Sequence, residues 1–116
     1  MSSAFSDKLL KVTSVTILSG ATASDSVDTQ RHTLTGIEFP ATMTGTGLTL
    51  QVSQDNSTFV TVYQGAGDVT ITKQNSKVVM VAATNKTIEG LGRYLRVVSS
   101  GAEGADRVFK LYLAPR

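Results

Sequence analysis

The sequence predicts an all-β fold: a single antiparallel β-sandwich, jelly-roll-like, of about eight strands with an N-terminal arm. Three observations predict it. Thr, Ser, Val, Gly and Ala dominate, and charged residues make up only 17% of the chain. Branched side chains fit a pleated surface and lose rotamer freedom in helices, so this mixture favours strands. Next, apolar and polar residues alternate in short runs such as LTLQV and YLRVV, with no segment patterned as a long helix. Finally, turn formers punctuate these runs roughly every 8–15 residues, which suits eight antiparallel strands in two four-stranded sheets. An immunoglobulin-like sandwich is the competing topology. Its Cys–Trp–Cys core is missing, since the chain has neither residue.

Residues 1–8 read as an arm, Ser-rich with one aromatic at Phe5, and residues 9–116 as the sandwich domain. LLKVTSVTIL, from Leu9 to Leu18, alternates well enough for a first strand, with Leu10, Val12 and Ile17 expected inward. Ser19 to Gln30 is small, polar and slightly acidic, and reads as a long loop or exposed edge segment. HTLTGIEFP carries Leu34, Ile37 and Phe39; the step from 34 to 37 breaks alternation at Gly36, where a bulge would restore it. Pro40 ends that strand. In LTLQVSQDNSTFVTVY, Leu48, Leu50 and Val52 share one face, and SQDNST supplies a turn whose Asp and Asn side chains mimic backbone bonds. The return strand TFVTVY puts Phe59, Thr61 and Tyr63 on one face and Val60 and Val62 on the other, completing a hairpin. Further strands are expected around Val69 and Ile71, around Val78–Val81, at Leu95 and Val97, and at Phe109, Leu111 and Leu113. SGAEGAD reads as a tight reversal, and TNKTIEGLG as the one place for a short helical turn.

A chain of 116 residues makes one domain, and at that size folding buries roughly 60–70% of the unfolded surface. That is core enough without disulfides, and the absence of Cys favours a reducing compartment. MSSAFSDKLLKV lacks the apolar stretch of a signal peptide, and no run approaches the roughly 20 apolar residues of a membrane span. The expectation is a soluble protein made and kept inside a cell. The net charge of +2 hides an asymmetry: residues 1–58 sum to −2 and residues 59–116 to +4. Lys73, Lys77, Arg93, Arg96, Arg107 and Lys110 fall on separate strands, however, as solvated faces and guarded edges do, so no nucleic-acid groove is expected.

Reactive chemistry finds little footing. His32 is the lone histidine, and no G-x-S-x-G elbow accompanies the many serines. With no Cys, no second His and no calcium-loop carboxylates, neither a metal nor a cofactor is expected. Glu38, Glu89 and Glu103 show no local reason for shifted pKa values. The Gly-x-Gly pairs at 45–47, 65–67 and 90–92 open no predicted helix and read as turns, not phosphate cradles. Tyr63, Tyr94 and Tyr112 are the available aromatics for a sugar-stacking platform.

LTLQVSQDNSTFVTVY resembles a hairpin found in small β-sandwich virion structural proteins of tailed bacteriophages and their prophages. GRYLRVVSSGA followed by RVFKLYLAPR resembles the end of those chains, and GIEFPATMTGTG fits the segment before the hairpin. The likeness runs over about residues 34–116 and rests on the order and spacing of these motifs. It implies a non-enzymatic role, most concretely that of a capsid decoration (cement) protein on the virion surface, assembled in the host cytoplasm. Such a protein bridges neighbouring subunits of the major capsid protein as a homo-oligomer, often a trimer, without contacting nucleic acid or membrane. Phe5, Leu9 and Leu10 would then anchor the arm on the capsid or a sister subunit, because a segment ordered on binding can wrap a large surface. RYLR-type strands also occur in discoidin-like carbohydrate-binding jelly rolls. The alternative is therefore a glycan-binding module of a tail fibre or adsorption apparatus, with Arg93, Tyr94 and Arg96 as ligands.

Overall fold

Pairing of the strands follows one nested order, which the computed structural model describes over residues 11–29, 32–64, 67–80 and 93–115. The strands are β1 (Lys11–Ile17), β2 (Val27–Asp28), β3 (His32–Glu38), β4 (Gly47–Ser53), β5 (Val60–Thr61), β6 (Tyr63–Gln64), β7 (Gly67–Asp68), β8 (Thr70–Thr72), β9 (Val78–Met80), β10 (Tyr94–Ser99) and β11 (Arg107–Pro115). Sheet A has the order β1-β11-β3-β9; sheet B has β2-β10-β4-β5, with β8 also paired to β4. All pairs are antiparallel. The first strand pairs with the last, the second with the next to last, β3 with β9, and β4 with β5 and β8. That is the path of one long hairpin wrapped round a common core, and it is the jelly-roll arrangement. Among the described residues no helix is long and apolar enough to cross a membrane. The arm with Phe5, the residues Leu9 and Leu10, the expected helical turn at 84–92 and Val81 lie outside the described residues.

The inner faces meet in a core of Val15, Ile17, Leu34, Ile37, Phe39, Leu48, Leu50, Val62, Val69, Ile71, Leu95, Val97, Phe109, Leu111 and Leu113, closed at one end by Met43. Each such side chain contributes about 1.5–3 kcal/mol by leaving water. Phe39 and Phe109 meet edge to face at 5.7 Å, the geometry that ring quadrupoles prefer. The expected inward residues of β4, β8, β10 and β11 are the observed ones. The bulge also falls where Gly36 placed it. Tyr112 pairs with Gly36 and Leu113 with Leu34, so Thr35 is the extra residue and its hydroxyl donates to the Tyr112 carbonyl. That insertion is why Leu34 and Ile37, three apart, both point inward.

Two expectations need correction. Val12 faces outward, and Val15 joins Ile17 in the core. VTSVTI offers two phases, and its partner decides: Val15 pairs with buried Phe109, whereas Val12 pairs with outward Tyr112. The return strand TFVTVY is also not continuous. β5 covers only Val60–Thr61 because β4 shares its edge between β5, at Gln51 and Val52, and β8, at Gly47 to Thr49. After Val62 the chain must leave that edge to admit β8, and the β6–β7 ribbon is the excursion. Two half-strands thus fill one position of the jelly roll, which reconciles nine sheet strands with the eight the spacing suggests.

Candidate functional site

The most perturbed acid in the described structure sits at the end where β1, β3 and β10 finish. Glu103 has a fully inaccessible side chain, yet it carries a charge. Burial by itself pushes its carboxyl up. Donation from the Ser99 hydroxyl (2.7 Å), the Thr44 and Gly45 N–H groups (2.7 and 2.9 Å) and Arg107 Nε (3.0 Å) outweighs this and brings it down to about 2. Its own backbone bonds Gly20 and Ala21, so one residue ties its own loop to those that follow β1 and β3. The sequence expectation of an ordinary Glu103 is therefore wrong. Shifted carboxyl groups often mark chemistry. Here both oxygens are filled by protein donors and no face is open to a substrate, so the charge serves as a staple. Glu38 instead lies on the outer face of sheet A, where it accepts the Tyr112 hydroxyl at 2.7 Å and holds that phenol's pKa up. Among the described residues no group of three or more His, Cys, Asp or Glu is placed to hold a metal ion.

The outer face of sheet A carries an apolar row. Val12, Tyr112, Gly36 and Met80 are successive cross-strand neighbours, and the adjoining row is Ser14, Lys110, Glu38 and Val78. Val12 is 53% exposed, Val78 49% and Met80 78%. Val78 and Tyr112 close over Gly36 between them: a Cβ there would sit 3.3 Å from Val78 Cγ1 and 3.7 Å from Tyr112 Cβ. Exposed apolar residues gathered on one face mark an interaction surface more than a solvent surface.

The outer face of sheet B is different. Tyr94 and Arg96 both point out from β10, and Arg93 precedes that strand. The three do not converge. Arg93 grips Asp28 through Nε and Nη2, at 2.9–3.2 Å, and its guanidinium lies 5.4 Å from the Tyr94 ring centre. Arg96 turns the other way: its Nε donates to Gln51 Oε1 at 2.8 Å, and its guanidinium stacks 4.0 Å from the centre of the Phe59 ring. The tyrosines are equally dispersed. Tyr94 is on sheet B and Tyr112 on sheet A, while Tyr63 borders a groove of about 490 Å³ lined by Val52, Val60, Val62 and the Asp55 turn. His32 is a strand residue opposite Pro115, half-buried and not fully exposed. Gly45 and Gly47 are close-approach positions, with a Cβ at 45 meeting Ser99 Oγ and one at 47 meeting the Ile71 carbonyl.

Sequence reasoning passed over Phe59 and Gln51 as partners of Arg96, since only the register of β10 on β4 brings Arg96 opposite Gln51. Compared with known proteins, the chain matches no family model and no curated protein sequence.

Proposed function

We propose that this chain is a non-catalytic virion structural protein, a capsid decoration protein that binds major capsid subunits on the outside of a phage head as a homo-oligomer, with a trimer favoured. The observation that supports it is the apolar row of sheet A, Val12, Tyr112 and Met80 running across Gly36, on a body whose most perturbed carboxylate is spent on holding loops together. Bridging needs two separate contact surfaces on a rigid body. A sandwich presents two outer faces pointing opposite ways, here one with an apolar row beside a polar one and one polar with aromatics. The glycan-binding reading draws less support, because the Tyr94 and Phe59 rings each carry an arginine where a sugar would stack.

The test uses expanded empty phage heads assembled from a candidate major capsid protein. Purified protein should co-sediment with them and raise their calorimetric melting temperature, and Met80→Asp should weaken both effects without unfolding the free protein. Heads whose melting is unchanged at saturating protein would end the proposal.

A further inference from the structure

Arg96 is held as a fork with its tines free. Its Nε is bonded to Gln51, whose own Nε2 donates to Thr61 Oγ1 at 3.2 Å, so the amide cannot turn away without breaking a cross-strand row that runs from β10 through β4 to β5. One face of the guanidinium lies on Phe59. The hydrogen bond and the ring fix the plane of the group from two directions, and the Nη1 and Nη2 end makes no hydrogen bond or ion pair with the described residues.

The other two arginines among the described residues show what this fork is suited to. Arg93 closes on the Asp28 carboxylate and Arg107 on that of Glu103, each through its Nε edge. At Arg96 a neutral amide occupies that edge, so the charge is positioned but not neutralised. We propose that the Arg96 end of sheet B is a docking point for a carboxylate, an Asp or Glu side chain presented by a protein partner, to which the two Nη groups donate end-on and in plane. The partial burial of Arg96 against Phe59 thins the water around it and strengthens such a contact relative to a free surface arginine.

Charge and shape select among acidic ligands. A nucleic acid needs several cations in register with its phosphates, and the next cation along this face, Arg93, is already paired with Asp28. An acidic sugar would need a ring to stack on, and Phe59 and Tyr94 are both covered by guanidinium groups. A lone carboxylate on a flat partner surface needs neither. Within the decoration proposal this names the chemistry of the capsid contact on the polar face; the site itself is defined without that proposal.

The experiment measures binding to immobilised poly-L-glutamate, with hyaluronate and heparin as parallel surfaces, for the wild type, Arg96→Gln, Arg96→Lys and the charge-matched control Lys110→Gln. Circular dichroism checks that each variant is folded. Arg96→Gln should weaken binding to poly-L-glutamate at least fivefold and Lys110→Gln less than twofold. Arg96→Lys should resemble Arg96→Gln, because an ammonium keeps the charge but loses the planar fork. Equal losses for Arg96→Gln and Lys110→Gln would mean that net charge alone attracts, and would overturn the inference. Tighter Arg96-dependent binding to hyaluronate or heparin would overturn it in favour of an acidic glycan. Neither result bears on whether the protein stabilises heads, so the two proposals fail separately.

Discussion

The two ends of the sandwich face the same problem, loops that must leave the sheets without abandoning their polar groups, and they solve it differently. At one end Glu103 gathers loops that are distant in the chain: its side chain takes donors from Thr44, Gly45, Ser99 and Arg107, and its backbone bonds Gly20 and Ala21. At the other end the β4–β5 turn is held chiefly by its own side chains, with one long-range bond from the Ser26 hydroxyl to Asn56 Oδ1. Asp55 Oδ1 accepts from the Ser57 and Thr58 N–H groups, and Ser53 Oγ accepts from those of Asp55 and Asn56, all within six residues. The first end is closed and its ties are long-range; the second is mostly local and borders an open groove. A long-range buried charge makes the jelly roll cooperative, because losing it releases three loops together. A local turn can fail while the sheets stand.

The largest effect should follow from removing the staple. Glu103→Ala leaves two N–H groups, a hydroxyl and a buried guanidinium edge unpartnered, and should cost about 3–5 kcal/mol of unfolding free energy, measured by urea denaturation. Glu103→Gln keeps one acceptor oxygen and should cost less. The charge adds a pH signature whose sign is fixed by the direction of the shift. The folded carboxyl titrates at about 2 against 4.5 in the unfolded chain. Its stabilisation is therefore complete above 4.5, declines as the unfolded chain begins to take up the proton, and is gone once the pH passes below 2. The full shift corresponds to at most about 3 kcal/mol, which solvent screening at the loop end lowers. Over that window the wild type should lose stability faster than Glu103→Gln. Parallel curves for the two would show that the carboxylate is not the staple.

Gly45→Ala should come next. Its Cβ would lie 2.2 Å from Ser99 Oγ and 3.2 Å from the Ser100 nitrogen, and the Ser99 hydroxyl cannot retreat without releasing Glu103. Overpacking of this kind costs about 1–3 kcal/mol. In a Ser99→Gly background the closest clash is gone and only the Ser100 contacts remain, so the two substitutions should be non-additive in a double-mutant cycle. An additive result would place the strain of Gly45→Ala elsewhere.

What the sequence makes legible divides along the same line as the two ends. The Asp55 turn was readable because the partners of its Asp55 and Ser53 side chains are close in the chain and such side chains bond their own backbone. The bulge at Gly36 and the inward faces of β10 and β11 were readable because a strand's period is local. Glu103 was not. Its side-chain partners lie at 44 and 45 as well as at 99 and 107, and nothing near it in SGAEGAD announces them except the small residues that let three loops approach. Arg96 was singled out, but its partners Gln51 and Phe59 became visible only with the strand register. The choice of Val15 over Val12 likewise depended on β11 as neighbour. Physical information that crosses the sandwich cannot be read along it.

The smallest effect belongs to Asp55, and it should be local. Its carboxylate is exposed, and its pKa is lowered by the Thr58 and Ser57 N–H groups and the Ser53 hydroxyl. Asn56, at φ 61°, already holds the left-handed position that the turn needs, a conformation Asn tolerates better than most residues. Asp55→Ala should therefore lower Tm by less than Gly45→Ala does. Hydrogen exchange should show faster exchange of the Ser57 and Thr58 amides, with those of β10 and β11 unchanged. Asp55→Asn keeps an acceptor oxygen without the charge, and should restore most of that protection. The shift in Asp55 is downward, so its contribution is present above its ordinary value of 3.8 and fades on further acidification. Amide protection in the wild-type turn should fall over that range, whereas in Asp55→Asn it should not. If β10 amides lose protection along with the turn, this end is coupled to the sheets as tightly as the Glu103 end, and the contrast between the two disappears.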